Sequence, residues 1–151
     1  MRRPDLPAGG FEIERELEIG TDIVRVFDFL VDPTKFREVD LALVEVEPMT
    51  PMHLGAEGRM THRRGGMTAR TTWRVTAWEP PRALTVEIRG NGYAMTEAAT
   101  LDATDGGTRV TFVDRVWPTS LFGRLFVAIS RGPVRRDLDD RSDRLVTALT
   151  R

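Results

Sequence analysis

Four turn signals cut the stretch Ala56–Trp117 into five segments of strand length: Gly65-Gly66, Pro80-Pro81, Asn91-Gly92 and Asp105-Gly106. Gly-Gly, Asn-Gly and Asp-Gly pairs accept the positive φ angles of two-residue hairpins, and a Pro-Pro pair cannot continue a ladder. These turns set a register. The first pairs His62 with Ala69, Met60 with Thr71 and Gly58 with Trp73; its other face, from Glu57–Arg74 to Arg63–Thr68, is wholly polar. The Pro-Pro turn brings Val75 to Val86 and Ala77 to Leu84. Asn91-Gly92 continues Ile88 and Val86 into Met95 and Glu97. The last turn pairs Leu101 with Val110, Ala99 with Phe112 and Glu97 with Asp114. The outer pair Asp102–Arg109 is complementary in charge, an independent check on that register.

A sheet with one apolar and one polar face is covered on one side. The inner wall reads Met60, Trp73, Val75, Leu84, Val86, Ile88, Met95, Leu101, Val110, Phe112 and Val116, with His62, Glu97 and Asp114 set among them. Glu97 and Asp114, opposite on a strand pair, lie about 5 Å apart and do not both ionise easily in an apolar setting.

Upstream, residues 1–10 are rich in Pro and Gly and read as a tail. Phe11–Ile19 alternates as a first strand, with Arg15 the one charged residue on its inner face. Thr21 reads as the N-cap of a helix whose apolar face is Ile23, Phe27, Leu30 and Val31, ending near Asp32-Pro33. Pro33–Glu38 reads as a second short helical turn and Leu41–Glu47 as another strand. Pro48–Leu54 is an irregular connector or a lid. Downstream, Thr119–Leu149 has helical spacing, expected to kink or split at Gly132-Pro133. Its apolar first half, Leu121–Ile129, either docks a partner or a membrane or, the favoured reading, lies beneath the sheet, and its second half repeats Val134, Leu138, Ser142, Leu145 and Leu149. The order is strand, two short helices, six strands, long helix. This is an α+β arrangement in which seven antiparallel strands need one long helix as their cover.

Composition narrows the function. The chain has 151 residues, net charge −1 and no cysteine. Its length suits one domain, residues 11–151, and its charge gives no general attraction to nucleic acid or to an anionic membrane. Disulfides and thiolate zinc sites are excluded, and cysteine-free composition suits a cytoplasmic location. No apolar run reaches transmembrane length and no signal-peptide core follows the N-terminus. No metal is expected: His62 and His53 stand nine residues apart with no third ligand. Phosphate-binding loops and nucleophile elbows are missing, so no cofactor is expected. Arg59, Arg63, Arg70 and Arg74 share the outer face without interleaved aromatics, which suits a solvated surface better than a nucleic-acid patch.

Three segments resemble a known group. Thr21–Val39 (TDIVRVFDFLVDPTKFREV) is similar to its first helix and Asp-Pro turn, Thr71–Ile88 (TTWRVTAWEPPRALTVEI) to its strand–Glu-Pro-Pro-Arg–strand signature, and Leu101–Phe112 (LDATDGGTRVTF) to its Gly-Thr-Arg hairpin. The group is the START-like helix-grip superfamily, in its polyketide cyclase/dehydrase (SRPBCC) branch. The resemblance spans roughly residues 11–149 and implies a seven-stranded antiparallel sheet wrapped around the C-terminal helix, with a cavity between. Members bind lipids, sterols, polyketides or plant hormones, and some cyclise or dehydrate polyketides. The shared motifs are structural and carry no catalytic residue over to this chain.

In that fold the first strand neighbours the seventh, so Arg15 can reach Asp114. Arg15, Glu97 and Asp114 then form either a polar anchor or acid–base group for a ligand, or a self-satisfied buried cluster. His62 is a further acid–base candidate or a histidine at a cavity mouth. Met60, Trp73, Val75, Val86, Tyr93, Met95 and Phe112 shape a pocket or fill a core. Two functions stand side by side. One is binding or transport of a small hydrophobic molecule (lipid, polyketide or aromatic) by a monomer or homodimer. The other is a cyclase/dehydratase using Glu97, Asp114 and His62.

Overall fold

The computed structural model describes residues 4–151. Seven antiparallel strands form one sheet in the order β1-β7-β6-β5-β4-β3-β2. They are β1 (Phe11–Ile19), β2 (Leu43–Glu47), β3 (Glu57–Arg64), β4 (Met67–Glu79), β5 (Ala83–Arg89), β6 (Tyr93–Thr104) and β7 (Gly107–Pro118). Helices α1 (Ile23–Leu30) and α2 (Phe36–Val39), with a 3-10 turn at Pro33–Lys35 between them, link β1 to β2. Helix α3 (Leu121–Leu149) follows β7 and packs against β1, β7 and α2. The helix-grip architecture follows from the turn-set register and its one apolar face. Of the expected tail, residues 1–3 lie outside the described residues, and the Pro4 carbonyl accepts a hydrogen bond from Arg115.

The hairpin registers hold at three of the four turns. Gly65 and Gly66 take positive φ, and His62–Ala69, Met60–Thr71 and Gly58–Trp73 pair as the turn requires. Ile88–Met95, Glu97–Asp114 and Asp102–Arg109 pair as well. The Pro-Pro hairpin differs. Val75 pairs with Val86, but a bulge then puts Ala77 opposite Thr85 and Trp78 opposite Leu84. The turn closes on Glu79–Ala83, so β4 carries one residue more from Val75 to Glu79 than β5 does from Ala83 to Val86. The bulge turns Trp78 toward the core, where it meets Phe27 edge-on at 5.3 Å.

Three further expectations are corrected. Asp22, not Thr21, caps α1: its Oδ1 accepts from the Val24 and Arg25 amides at 3.0 and 3.4 Å. Thr21 instead ties the fold together, donating to the Leu149 carbonyl at 2.6 Å while its own carbonyl accepts from Thr108. Helix α3 runs through Pro133 as one element rather than splitting. Proline removes one donor, that to the Ile129 carbonyl, and Ile129 lies on an exposed turn where water can replace it.

The apolar first half of α3 does not lie under the sheet. Leu121, Phe122, Leu125, Phe126 and Ile129 are exposed, Leu121 and Phe122 by more than 80%. The helix is seated on small residues instead: Gly123, Val127 and Ser130 are buried. A Cβ at Gly123 would stand 1.8 Å from the Gly92 carbonyl oxygen, so the helix meets the Asn91-Gly92 turn backbone to backbone. That seating turns the bulky neighbours outward. No helix is long and apolar enough to cross a membrane among the described residues.

Candidate functional site

A cavity of about 610 Å³ lies between the inner face of the sheet and α3. Its wall is mostly apolar. Met60, Leu84, Val86, Ile88, Met95 and Phe112 come from the strands, Phe29, Leu30, Phe36 and Val39 from α1 and α2, and Val134, Leu138 and Leu145 from α3. Strand alternation supplies the first set, since every second residue of β3–β7 points inward. Met52, from the irregular Pro48–Leu54 connector, is buried on the same wall.

Polar groups enter at two places. At the first, Arg15 of β1 reaches under α3. Its Nη1 donates to the Leu138 carbonyl at 2.9 Å and to Ser142 Oγ at 2.7 Å, and its Nη2 donates to Asp114 Oδ2 at 2.9 Å. The guanidinium lies 4.6 Å from the Phe112 ring centre, and Glu97 Oε2 stands 3.9 Å from Nη2. Asp114 is fully buried, and burial, with the Glu97 charge and hydrogen bond beside it, outweighs Arg15 and pushes its carboxyl up to about 9. Asp114 therefore holds its proton at neutral pH, and its Oδ2 accepts from Arg15. One guanidinium faces one net negative charge.

At the second place, His62 Nε2 lies 2.8 Å from Asp40 Oδ2. A carboxylate only accepts, so Nε2 carries the proton. The same oxygen takes Arg141 Nη2 at 3.0 Å, and Arg141 also pairs with Asp137 at 3.0 Å. Asp137 in turn holds Arg64, at the end of β3, at 3.1 Å. Burial works to raise Asp40, but the His62 hydrogen bond, the Arg141 charge and the Ala42 amide together hold its carboxyl below the usual value. For Arg141, burial is overcome by Asp40, Asp137, Glu97 and Asp114, which raise it. Nearer the mouth, burial pushes the Tyr93 phenol up, against the opposing charge of Arg64.

Of the residues singled out from the sequence, Arg15, Met60, His62, Val86, Tyr93, Met95, Glu97 and Phe112 line the cavity. Trp73, Val75 and Asp114 lie behind that lining, in the packed sheet face, so Asp114 meets the cavity only through Glu97 and Arg15. Asp40, Asp137 and Arg141 were not foreseen. Arg141 had a signal: Leu138, Arg141 and Leu145 fall at i, i+3 and i+7 on one helix stripe, so a charge sat on an apolar face. Thr71 was also missed; it is buried on the cavity wall and its Oγ1 has no protein partner. No group of acidic or histidine side chains is arranged to hold a metal ion among the described residues.

A sheet gripping one long helix over a cavity places the molecule in the helix-grip class. The chain belongs to the family described as polyketide cyclase / dehydrase and lipid transport, which it matches over residues 10–150. Solved structures share the fold. Protein CV1439 from Chromobacterium violaceum superposes with a TM-score of 0.76 at 15% identity, covering 91% of this chain and 96% of that one. Ara h 8.0201 gives 0.71 at 14% identity, covering 93% and 98%. DynU16, a protein of the dynemicin biosynthetic locus, gives 0.66 at 16% identity, covering 95% of this chain and 48% of its own. These similarities concern the fold alone. A search of curated protein sequences found no match.

Proposed function

We propose that this protein binds or carries a small, uncharged, mostly apolar molecule bearing a hydroxyl or carbonyl group. The cavity carries this reading. Its size falls in the range of drug-sized ligand sites, and its charged lining is already matched within the protein. Arg15, Arg64 and Arg141 are answered by Glu97, Asp137 and Asp40, so a charged ligand would displace an existing partner and leave it unpaired. The Thr71 hydroxyl, buried on the cavity wall without a partner, is a polar group that a ligand can satisfy without breaking an ion pair.

The test is thermal shift and native mass spectrometry with long-chain alcohols and ketones, matched carboxylates and matched ammonium compounds. The neutral series should stabilise the protein and give a discrete adduct. Thr71→Val should weaken that binding by about 5- to 10-fold, the value of one hydrogen bond. Stabilisation by the carboxylates alone would sink the neutral-ligand reading.

A second reading, a cyclase or dehydratase, has one observation in its favour. Glu97 lines the cavity beside the protonated Asp114, and two neighbouring carboxyl groups can serve to accept and return a proton. Arg15 weighs against it, since its Nη1 and Nη2 already make three hydrogen bonds within the protein, which hold the guanidinium in place under α3. Glu97→Gln should abolish turnover of a polyketide-like substrate under this reading and leave it bound. Under the first reading, affinity changes only modestly.

A further inference from the structure

Five large apolar side chains stand in solvent on the first three turns of α3. Leu121, Phe122, Leu125 and Ile129 are 65–82% exposed, and Phe126 is 47% exposed. They share one side of the helix, turned away from the buried face at Gly123, Val127 and Ser130. Patches of this kind on a soluble domain mark a contact surface. Across the cavity mouth, Met67 at the tip of the β3–β4 hairpin is 79% exposed, and the Arg64–Asp137 pair holds that tip against α3. Met67, Phe126 and Ile129 all belong to the cavity lining, so the apolar ridge forms its rim.

The charge around the ridge selects its partner. Between Asp114 and Asp137 the chain has no acidic residue, while Arg124, Arg131, Arg135 and Arg136 are all exposed. Arg124, Arg131 and Arg135 recur at i, i+7 and i+11, a single row beside the apolar stripe. A second copy of the chain meeting this face would set arginine row near arginine row. An anionic surface answers it. The ridge is also convex, one helix carrying protruding side chains rather than a groove, and a convex apolar ridge suits a fluid layer that closes around it. We propose that the first half of α3, with the Met67 hairpin tip, docks on an anionic lipid bilayer. Phe122, Leu125 and Ile129 enter the acyl boundary while the arginine row lies at the phosphates, with the cavity mouth facing the lipid. The docking does not depend on what the cavity holds, so the two readings fail separately.

The experiment is co-sedimentation of the full chain with phosphatidylcholine vesicles, with and without about 30% phosphatidylglycerol, at low and high salt. The protein should pellet with the anionic vesicles, weakly or not at all with the neutral ones, and less as salt rises. Phe122→Ser with Leu125→Ser and Ile129→Ser should lower the affinity by roughly a hundredfold or more. Arg124→Gln, Arg131→Gln and Arg135→Gln should each lower it about fivefold. All these side chains are exposed, so circular dichroism and thermal midpoints should match the parent. The proposal is overturned if the parent binds no vesicle, binds both kinds equally, or is matched by the variants. It is also overturned if sedimentation velocity finds a dimer that the serine variant disperses while no vesicle is bound, which would assign the ridge to a second copy.

Discussion

Asp114 and Asp40 are both buried aspartates, each within about 3 Å of an arginine, yet their carboxyls move in opposite directions. Asp114 is raised and Asp40 is lowered. The difference lies in the remaining neighbours. Asp40 accepts from His62 and the Ala42 amide and is paired with Arg141, so donors and positive charge surround it. Asp114 shares its arginine with the Leu138 carbonyl and Ser142, and its next neighbour is another acid, Glu97. An arginine contact alone does not decide a buried carboxyl's charge; the balance of donors and acceptors around it does.

The largest expected effect comes from breaking the Asp114 side. Arg15→Leu leaves Glu97 without its counter-charge and Asp114 Oδ2 without its donor. It should cost about 3–5 kcal/mol of stability, read by urea denaturation, the usual loss when one partner leaves a buried pair. A normal midpoint would mean that the cluster is solvated rather than buried. On the other side, Asp40→Asn removes the charged acceptor of His62 and Arg141 and should cost about 1–3 kcal/mol at neutral pH.

The two aspartates should also give opposite pH dependences. The raised folded value of Asp114 means that the native state holds a proton the unfolded chain has lost. Stability therefore falls as pH rises from about 4 towards about 9, and Asp114→Asn should flatten that slope. The depressed value of Asp40 means the reverse: its contribution is present above its unfolded value of 3.8 and is lost as pH falls through the lower folded value. Asp40→Asn should remove that acid limb. Denaturation midpoints at a series of pH values separate the two, and identical slopes for parent and Asp114→Asn would contradict the assignment of the proton.

The smallest effect sharpens the comparison. Glu97→Gln turns the acidic neighbour of Asp114 into a neutral one, leaving burial and Arg15 in opposition. The Asp114 carboxyl should move down toward Asp40 behaviour, visible by carbon-detected titration, with a change in stability under about 2 kcal/mol.

Much of this arrangement was legible before the structure. The hairpin pairs placed Glu97 opposite Asp114, and strand alternation turned Arg15 inward, because turn chemistry and a period of two are local properties. The bulge at Val75/Ala77 was not legible, since it depends on where the Pro-Pro turn closes and on the contact that Trp78 makes with Phe27. Asp40 and Arg141 were hidden for a related reason. They meet His62 from two other elements, and no spacing along the chain measures that distance.

Helix α3 marks the boundary between the two kinds of knowledge. The sequence by itself determined that the chain ends in a long helical stretch, read over Thr119–Leu149 and formed over Leu121–Leu149, that five strands meander before it, and that one sheet face is apolar. It did not decide which side of the helix is buried, because its first half offers two candidates: a bulky apolar stripe and a stripe of small residues. Hydrophobicity alone favours burying the bulky one. The tertiary structure buried the other, since the close approach of Gly123 to the Gly92 carbonyl leaves no room for a side chain there and sends Phe122 and Ile129 into solvent. Packing distance, which only the assembled fold sets, overrode the hydrophobic preference of the isolated segment.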